Sequence, residues 1–391
     1  MRAEIVVDLA AIRHNVHRLR SYLGVPLMAV VKADGYGHGL VESARAAREG
    51  GAEWLGVASV EEALALRESG DTGPLLCWLL VPSDDVTPAI LAQIDITAYT
   101  TADLDRIAEA ARATDRRPRV QLKVDTGLSR GGARTADWPE LVAHARGLER
   151  SGLAKISGIW SHFSASEDPA DPTSDEQEKV FGEALDVAAA AGLRPEVRHL
   201  ANSAGALLRP SSRLDLVRVG LATYGLDPAP GVEGSPWPEL GLVPAMTVTA
   251  ELALVKPVEA GAGVSYNHTW TADRPTTLGL VPIGYAEGIS RRAGNRAEVL
   301  AGGARRPVRG TICMDQFVID LGPDGADQEA GDRVVLWGAG TGGEPSAQDW
   351  AQASETISYE IVTRIGGRMT RRYVDSDRTT TTGGTSDRGA R

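Results

Sequence analysis

The chain has 391 residues, 42% hydrophobic and 24% charged, as expected of a folded protein that buries a large core without metal or disulfide staples. Acidic residues outnumber basic ones 52 to 41, a net charge of -11 with no basic run, which argues against nucleic-acid or anionic-lipid partners. No window approaches ~18 consecutive apolar residues, so no membrane-spanning helix is expected.

The N-terminal stretch MRAEIVVDLAAIRHN has one short apolar run, Ala3–Val7, broken by Asp8. That is too short for a signal peptide, which needs ~7–15 apolar residues after a basic start. It reads as a lone strand that could pair with a later domain. The two cysteines, Cys77 and Cys313, fit neither a disulfide framework nor a zinc motif and suit a reducing compartment. The expected location is cytoplasmic.

From about Pro26 to Gly220, short apolar runs alternate with amphipathic stretches. The runs are Leu27–Val31, Trp54–Ala58, Leu75–Leu80, Ile94–Ala98, Val120–Val124, Ile156–Trp160, Val197–Leu200 and Leu214–Val219. Each suits a strand buried on both faces. Between them lie helical patterns such as Leu40–Arg48, Val60–Glu68, Ala102–Ala113 and Glu176–Ala191. This alternation means parallel strands with crossover helices. Eight runs are what a closed (β/α)8 barrel requires, in roughly the ~200–250 residues such barrels use. The alternative is a doubly wound open sheet, but the glycine-rich turn expected after its first strand is absent: VVKADGYGHG is not GxGxxG.

From about Leu240 to Asp375 apolar and polar residues alternate closely, as in TVTAELALVKPV, between frequent glycine turns. This predicts a mainly-β domain of short antiparallel strands. Two helices are expected near its end, Ser346–Ala353 and Ile357–Ile365, the first capped by Ser346 with Asp349. The division is then residues 1–239 for the barrel (1–9 being the lone strand), 240–377 for the β domain, and 378–391 for a disordered tail without apolar anchors.

Barrel enzymes hold their chemistry at the C-terminal ends of the strands. The first strand ends in Lys32, one of only five lysines among the 41 basic residues. Its position alone fits either a rim lysine or an amine made nucleophilic by burial. The fifth ends in QLKVDTGLSRGG, with Lys123, Asp125 and Arg130. The sixth ends in His162. The seventh gives Asn202 and Ser203, and the eighth Arg218, Gly220 and Leu221. Singly, each has an ordinary structural reading, Asn-Ser as a helix cap above all. Together they put polar groups at most strand ends of one barrel face, with an anion site suggested at Ser203 and Gly220.

Nine segments, AVVKADGYGHG, LKVDTGLSRGG, SHFSASE, LANSAG, VRVGLATYGL, GVSYNHTW, VPIGYAEG, GTICMDQ and SYEIVTRIGGR, occur in this order between residues 29 and 368. In these the chain resembles the bacterial alanine racemases, which depend on pyridoxal 5′-phosphate (PLP). One departure is Gly35, where that family often carries alanine. The resemblance implies the same fold, a PLP-binding barrel plus a C-terminal β domain. It implies interconversion of L- and D-alanine by two bases on opposite faces of the substrate carbanion, supplying D-alanine for peptidoglycan.

By that resemblance Lys32 carries PLP as an aldimine and serves one face, and Tyr266 serves the other. A phenol needs cations or hydrogen bonds nearby to act as a base near neutral pH, and His162 and Arg218 are the expected network. Taken by itself, Tyr266 reads rather as a half-buried core tyrosine. Arg218 would face the pyridine nitrogen as a donor that gives up no proton. Tyr36, Asn202, Ser203, the backbone at Gly220 and Leu221, and Tyr359 would hold the cofactor, with the phosphate on Tyr36, Ser203, Gly220, Leu221 and Tyr359. Arg130 would meet the PLP hydroxyl and the substrate carboxylate, Met314 the same carboxylate through its backbone, and Tyr285 and Tyr359 would narrow the entrance. Lys123 matches a lysine carbamylated in some members. No metal is implied. The resemblance also implies a head-to-tail homodimer with shared sites, Tyr266 of one subunit meeting Lys32 of the other; the sequence itself shows only that the two lie in different domains.

Related proteins of other function are discriminated by residues. PLP-carrier barrels lack the β domain that holds Tyr266. PLP decarboxylases of the same plan place an acid where Arg218 stands. A racemase of wider specificity, or one for serine, stays open.

Overall fold

The computed structural model describes residues 2–323 and 325–376, so the tail expected at 378–391 lies outside the described residues. Strand β1 (Ala3–Asp8) leads into a helix, Leu9–Leu23, whose first turn is capped by the Asp8 carboxylate accepting from Ala10 and Ala11 N–H groups. Eight parallel strands follow: β2 (Leu27–Val30), β3 (Trp54–Val57), β4 (Leu75–Cys77), β5 (Asp95–Ala98), β6 (Arg119–Lys123), β7 (Lys155–Trp160), β8 (Val197–His199) and β9 (Val217–Val219). Every residue of β2, β3, β4 and β5 is buried, as strands covered on both faces require, and in β5 that includes the polar Asp95 and Thr97.

The strand order is β8-β7-β6-β5-β4-β3-β2-β9. No ladder joins β8 to β9, but Arg218 N–H donates to Ala201 O at 3.0 Å and Asp215 N–H to Arg198 O at 3.2 Å. The eight strands therefore form a nearly closed barrel, as the alternating runs predicted. Most strands differ from the runs by a residue at one end, and two are shorter by three residues. The third stops at Cys77, because the chain turns outward and leaves Leu79 60% exposed. The eighth begins at Val217, because Leu214 adopts a left-handed φ of 46°.

The C-terminal strands are β10 (Met246–Glu251), β11 (Leu254–Val258), β12 (Gly263–Val264), β13 (Trp270–Thr271), β14 (Thr276–Val281), β15 (Glu298–Ala301), β16 (Ala304–Arg309), β17 (Phe317–Gly322), β18 (Arg333–Trp337) and β19 (Thr370–Val374). Nine strands form one sheet, ordered β11-β14-β17-β16-β15-β18-β10-β1-β19. Within it β1 is antiparallel to β10 and parallel to β19. The chain's first strand thus ties the start of the barrel to this sheet.

The helix Ala347–Ser354 carries the Ser346–Asp349 capping box expected from sequence. Its Trp350 packs with Phe317 and Trp337 and donates its indole N–H to Leu336 O at 2.7 Å. The next helix, Ser358–Arg364, brings Tyr359 to the barrel mouth, its ring 6.1 Å from that of Tyr36.

Candidate active site

Lys32 opens a short turn directly after β2. Ala33, Asp34, Gly35 and Tyr36 follow with φ of 53°, 53°, 62° and 54°, one turn of left-handed helix. Such a turn costs roughly 1–2 kcal/mol per L-residue, so it must be held from outside. Glu62 holds it: one carboxylate oxygen accepts from Ala33 N–H at 2.6 Å, the other from Ala58 N–H at 3.0 Å. Asp34 adds a bond from Leu40 N–H at 2.8 Å and an ion pair with Arg371 at 2.7 Å. At Gly35, the departure from the family pattern, a Cβ would lie 2.8 Å from Ser43 Oγ, so Ser43 occupies the room that a methyl would need.

Lys32, Lys123, Arg130 and Arg218 come together at this mouth. Lys32 Nζ lies 5.8 Å from the Trp78 ring centroid. Its pKa is lowered by burial first and by Arg130 second, against an opposing pull from Glu62. Lys123 is buried, with Nζ 4.5 Å over Trp160 and 5.6 Å over Tyr99. Burial, with Arg218 and Arg130 nearby, lowers it to about 7. At neutral pH much of it is therefore a free amine. Arg130 is exposed and forms no hydrogen bond or ion pair among the described residues.

Arg218 is buried. One terminal nitrogen donates to His199 Nδ1 at 2.9 Å. The other donates to Ser161 O at 2.8 Å, Leu200 O at 3.0 Å and His162 Nδ1 at 3.1 Å. None of these partners is a carboxylate. Burial lowers its pKa to about 9, still well above neutral, so it stays a cation and a pure donor. His162 and His199 are both held well below the usual imidazole value by burial and by Arg218, and are neutral.

Opposite the lysine turn, Ser203 opens the helix Ser203–Leu208 and Gly220 precedes a 3-10 turn, Leu221–Tyr224. Gly220 N–H donates to Ser203 Oγ at 2.9 Å, which leaves the serine's own O–H to be donated elsewhere. Asn202 caps the helix: its Oδ1 accepts from Gly205 N–H at 2.9 Å and from Ser166 Oγ at 2.8 Å. A Cβ on Gly220 would collide with the Tyr36 hydroxyl. Gly220→Ala is therefore expected to cost ~1–3 kcal/mol through overpacking and to weaken binding of a phosphate-bearing ligand. Thermal unfolding and a phosphate-ester titration check this, and unchanged values in both would exclude a tight cradle.

Tyr266, Tyr285 and Met314 form a second group, on turns and loops between the C-terminal strands. They share the segment 311–314: Thr311 Oγ1 donates to Tyr266 O at 3.2 Å, Tyr285 N–H to Cys313 O at 3.1 Å, and Ala286 N–H to Met314 O at 2.9 Å. The three are 66%, 41% and 53% exposed. Among the described residues no hydrogen bond, ion pair or ring contact joins their side chains to the Lys32 group. Sequence reasoning brought out neither Glu62 nor the tryptophans Trp78 and Trp160. The Ser59-x-x-Glu62 capping box was a visible signal for the first; no local pattern marked the others.

Among the described residues no cluster of His, Cys, Asp and Glu could hold a metal ion, and no helix is long and apolar enough to cross a membrane. Family models for the alanine racemase N-terminal and C-terminal domains match residues 7–228 and 245–373. The chain is 51% identical over 377 residues to the alanine racemase of Salinispora arenicola, covering 96% of this chain and 99% of that one. It is similar to the crystal structure of alanine racemase from D-cycloserine producing Streptomyces lavendulae, with a TM-score of 0.93, 49% identity, and 96% and 98% of the two chains covered. It is also similar to the alanine racemase of Bartonella henselae, solved with covalently bound pyridoxal phosphate, with a TM-score of 0.83, 28% identity, and 96% and 100% covered.

Proposed function

The chain belongs to the alanine racemase family, whose members are PLP-dependent isomerases, and from that premise we propose how its own residues interconvert L- and D-alanine. The donor set fits PLP. Lys32 is an amine of lowered pKa at a strand end, and the cations gathered there suit an anionic ligand. The Ser203 hydroxyl proton is not committed within the cradle, and the Gly220 position has no room for a side chain. PLP, when bound, supplies an electron sink that acidifies the substrate Cα–H.

Lys32 would hold the cofactor covalently, and its free amine would take or return the proton on one face of Cα. Tyr266 does so on the other. Tyr36, Ser203, the backbone of Gly220 and Leu221, and Tyr359 hold the phosphate, and Asn202 keeps the Ser203 helix in place. Arg130 pairs with the substrate carboxylate, which its fork geometry matches. The Met314 backbone meets that carboxylate too. Tyr285 and Met314 leave space for little beyond a methyl group. His162 links the Tyr266 side of the reaction to Arg218. Lys123, partly neutral near pH 7, can add carbon dioxide and become a carbamate that orients Arg130.

Tyr266, Tyr285 and Met314 are exposed on a single chain, and an exposed apolar group of this kind is the surface a partner subunit covers. The reading is therefore a homodimer in which each site combines the barrel of one subunit with these residues of the other. The division into a barrel up to residue 239 and a β domain from 240 belongs to the same proposal. So do a cytoplasmic location and a role in supplying D-alanine for peptidoglycan.

The observation that carries this reading is Arg218, a buried donor with no carboxylate beside it. Arg218 would offer the cofactor's ring nitrogen a donor that yields no proton, which would weaken the electron sink and favour return of the proton to Cα over transamination. Arg218→Glu is expected to slow racemisation by ~10²–10³-fold, the usual cost of losing a preorganised donor, and to raise the share of turnovers ending in pyruvate. Racemisation and pyruvate formation are measured together on variant that stays folded by circular dichroism. An unchanged ratio of the two products would overturn the assignment.

A further inference from the structure

A line of buried polar residues crosses the barrel interior beneath Arg218, and the reaction as described uses none of it beyond His199. Asp95, Gln121, Ser157 and His199 are each at most 2% exposed and lie on the adjacent strands β5, β6, β7 and β8. Asp95 accepts from Arg119 Nε at 2.6 Å, Ser157 Oγ at 2.6 Å and Gln121 Nε2 at 3.0 Å. Gln121 Oε1 stands 2.7 Å from His199 Nε2, and His199 Nδ1 stands 2.9 Å from the Arg218 guanidinium. Arg119 is tied to Glu196 at 2.7 Å, which fixes the lower end.

We propose that Asp95 and Gln121 are positioning residues for Arg218, which they control by fixing the tautomer of His199. A carboxylate only accepts, so the Gln121 amide must turn its NH2 group to Asp95. Its oxygen then faces His199 and can only accept. His199 must carry its proton on Nε2, which leaves the Nδ1 lone pair for Arg218. Arginine can only donate, so the other end of the line demands the same arrangement. A pure acceptor and a pure donor bound the line, and no proton in it has a second place to sit. The opposite tautomer would set an N–H against the guanidinium N–H and leave two buried groups unpaired, each a loss of the kind that folded proteins avoid. Trp160 stacks on the imidazole at 5.6 Å and 8° and so fixes the ring plane as well. The consequence for catalysis rests on the reading of Arg218 given above.

The test is nitrogen-15 NMR of histidine-labelled holoenzyme, with the His199 signals among the seven histidines assigned by their loss in His199→Asn. In the unaltered enzyme His199 is expected as the Nε2–H tautomer; an Nδ1–H form or an imidazolium would overturn the proposal without any further variant. Gln121→Leu removes the acceptor and is expected to give mixed tautomers. It should lower kcat by ~10–100-fold, as loss of an outer partner of a metal-bound histidine does, with KM for alanine nearly unchanged. Gln121→Glu again offers His199 an oxygen acceptor, sharing a proton with Asp95, and is expected to restore both the tautomer and kcat. A loss of kcat in Gln121→Leu with the tautomer intact would mean only a packing role and would refute the proposal. A shifted tautomer with kcat unchanged would instead refute the role assigned to Arg218, and with it the catalytic half of the proposal.

Discussion

Lys32→Ala is expected to stop alanine conversion in both directions. Two functions vanish together: the covalent hold on the cofactor and the base on one face. The base alone is worth ~10²–10⁴-fold, so the combined loss should exceed that range. The fold should survive. The left-handed turn around Ala33–Tyr36 is held by Glu62 and by backbone bonds such as Gly35 N–H to Val31 O at 2.8 Å, none of which uses the Lys32 side chain. Borohydride reduction followed by peptide mapping separates the two functions. The unaltered enzyme should carry the reduced cofactor on the Lys32 peptide, whereas the variant should carry none. Normal turnover, or label on Lys123 in the unaltered enzyme, would contradict the assignment of Lys32.

Tyr266→Phe comes next in size. The change deletes one oxygen from a side chain that is 66% exposed on the single chain, so unfolding should move by no more than ~0.5 kcal/mol. Racemisation should fall by ~10²–10⁴-fold, the worth of a positioned acid–base group. Lys32 remains, so one face of Cα stays in exchange with solvent. In heavy water one enantiomer of alanine should still take up deuterium while inversion nearly ceases. Loss of exchange from both enantiomers would mean that Tyr266 holds the site together and does not act as a base. Retention of racemisation would mean that another group serves that face.

The barrel was readable because most of its strands are buried on both sides, which leaves a short, mostly apolar run in the sequence for each. The ends of those runs were less readable. Nothing in Leu75–Leu80 says that the ladder stops at Cys77, since Trp78, Leu79 and Leu80 continue the apolar pattern while the chain turns outward. The candidate site residues stood out where a polar residue follows or interrupts an apolar run, as with Lys32, Lys123, His162 and Arg218. Residues that act across the fold were not. Glu62 reads as half of a capping box, and its bond to Ala33 N–H joins positions 29 residues apart. Gln121 reads as an interruption within a strand; its partners come from two other strands and cannot be inferred from its neighbours. Tyr266, Tyr285 and Met314 have no local signal for their meeting, which depends on the loop at 311–314 and, in this account, on a second subunit.

In the proposed dimer, Lys32 of one subunit and Tyr266 of the other make one site. Subunit exchange between Lys32→Ala and Tyr266→Phe homodimers tests it directly, since each parent is expected to be nearly inactive. A mixed dimer would hold one site with both substitutions and one site with neither. Racemisation should then return to about half the unaltered activity per mixed dimer, since one site of the two is intact. Mixed dimers that form, as seen by native mass spectrometry, and stay inactive would place both bases within one chain and rule out a shared site.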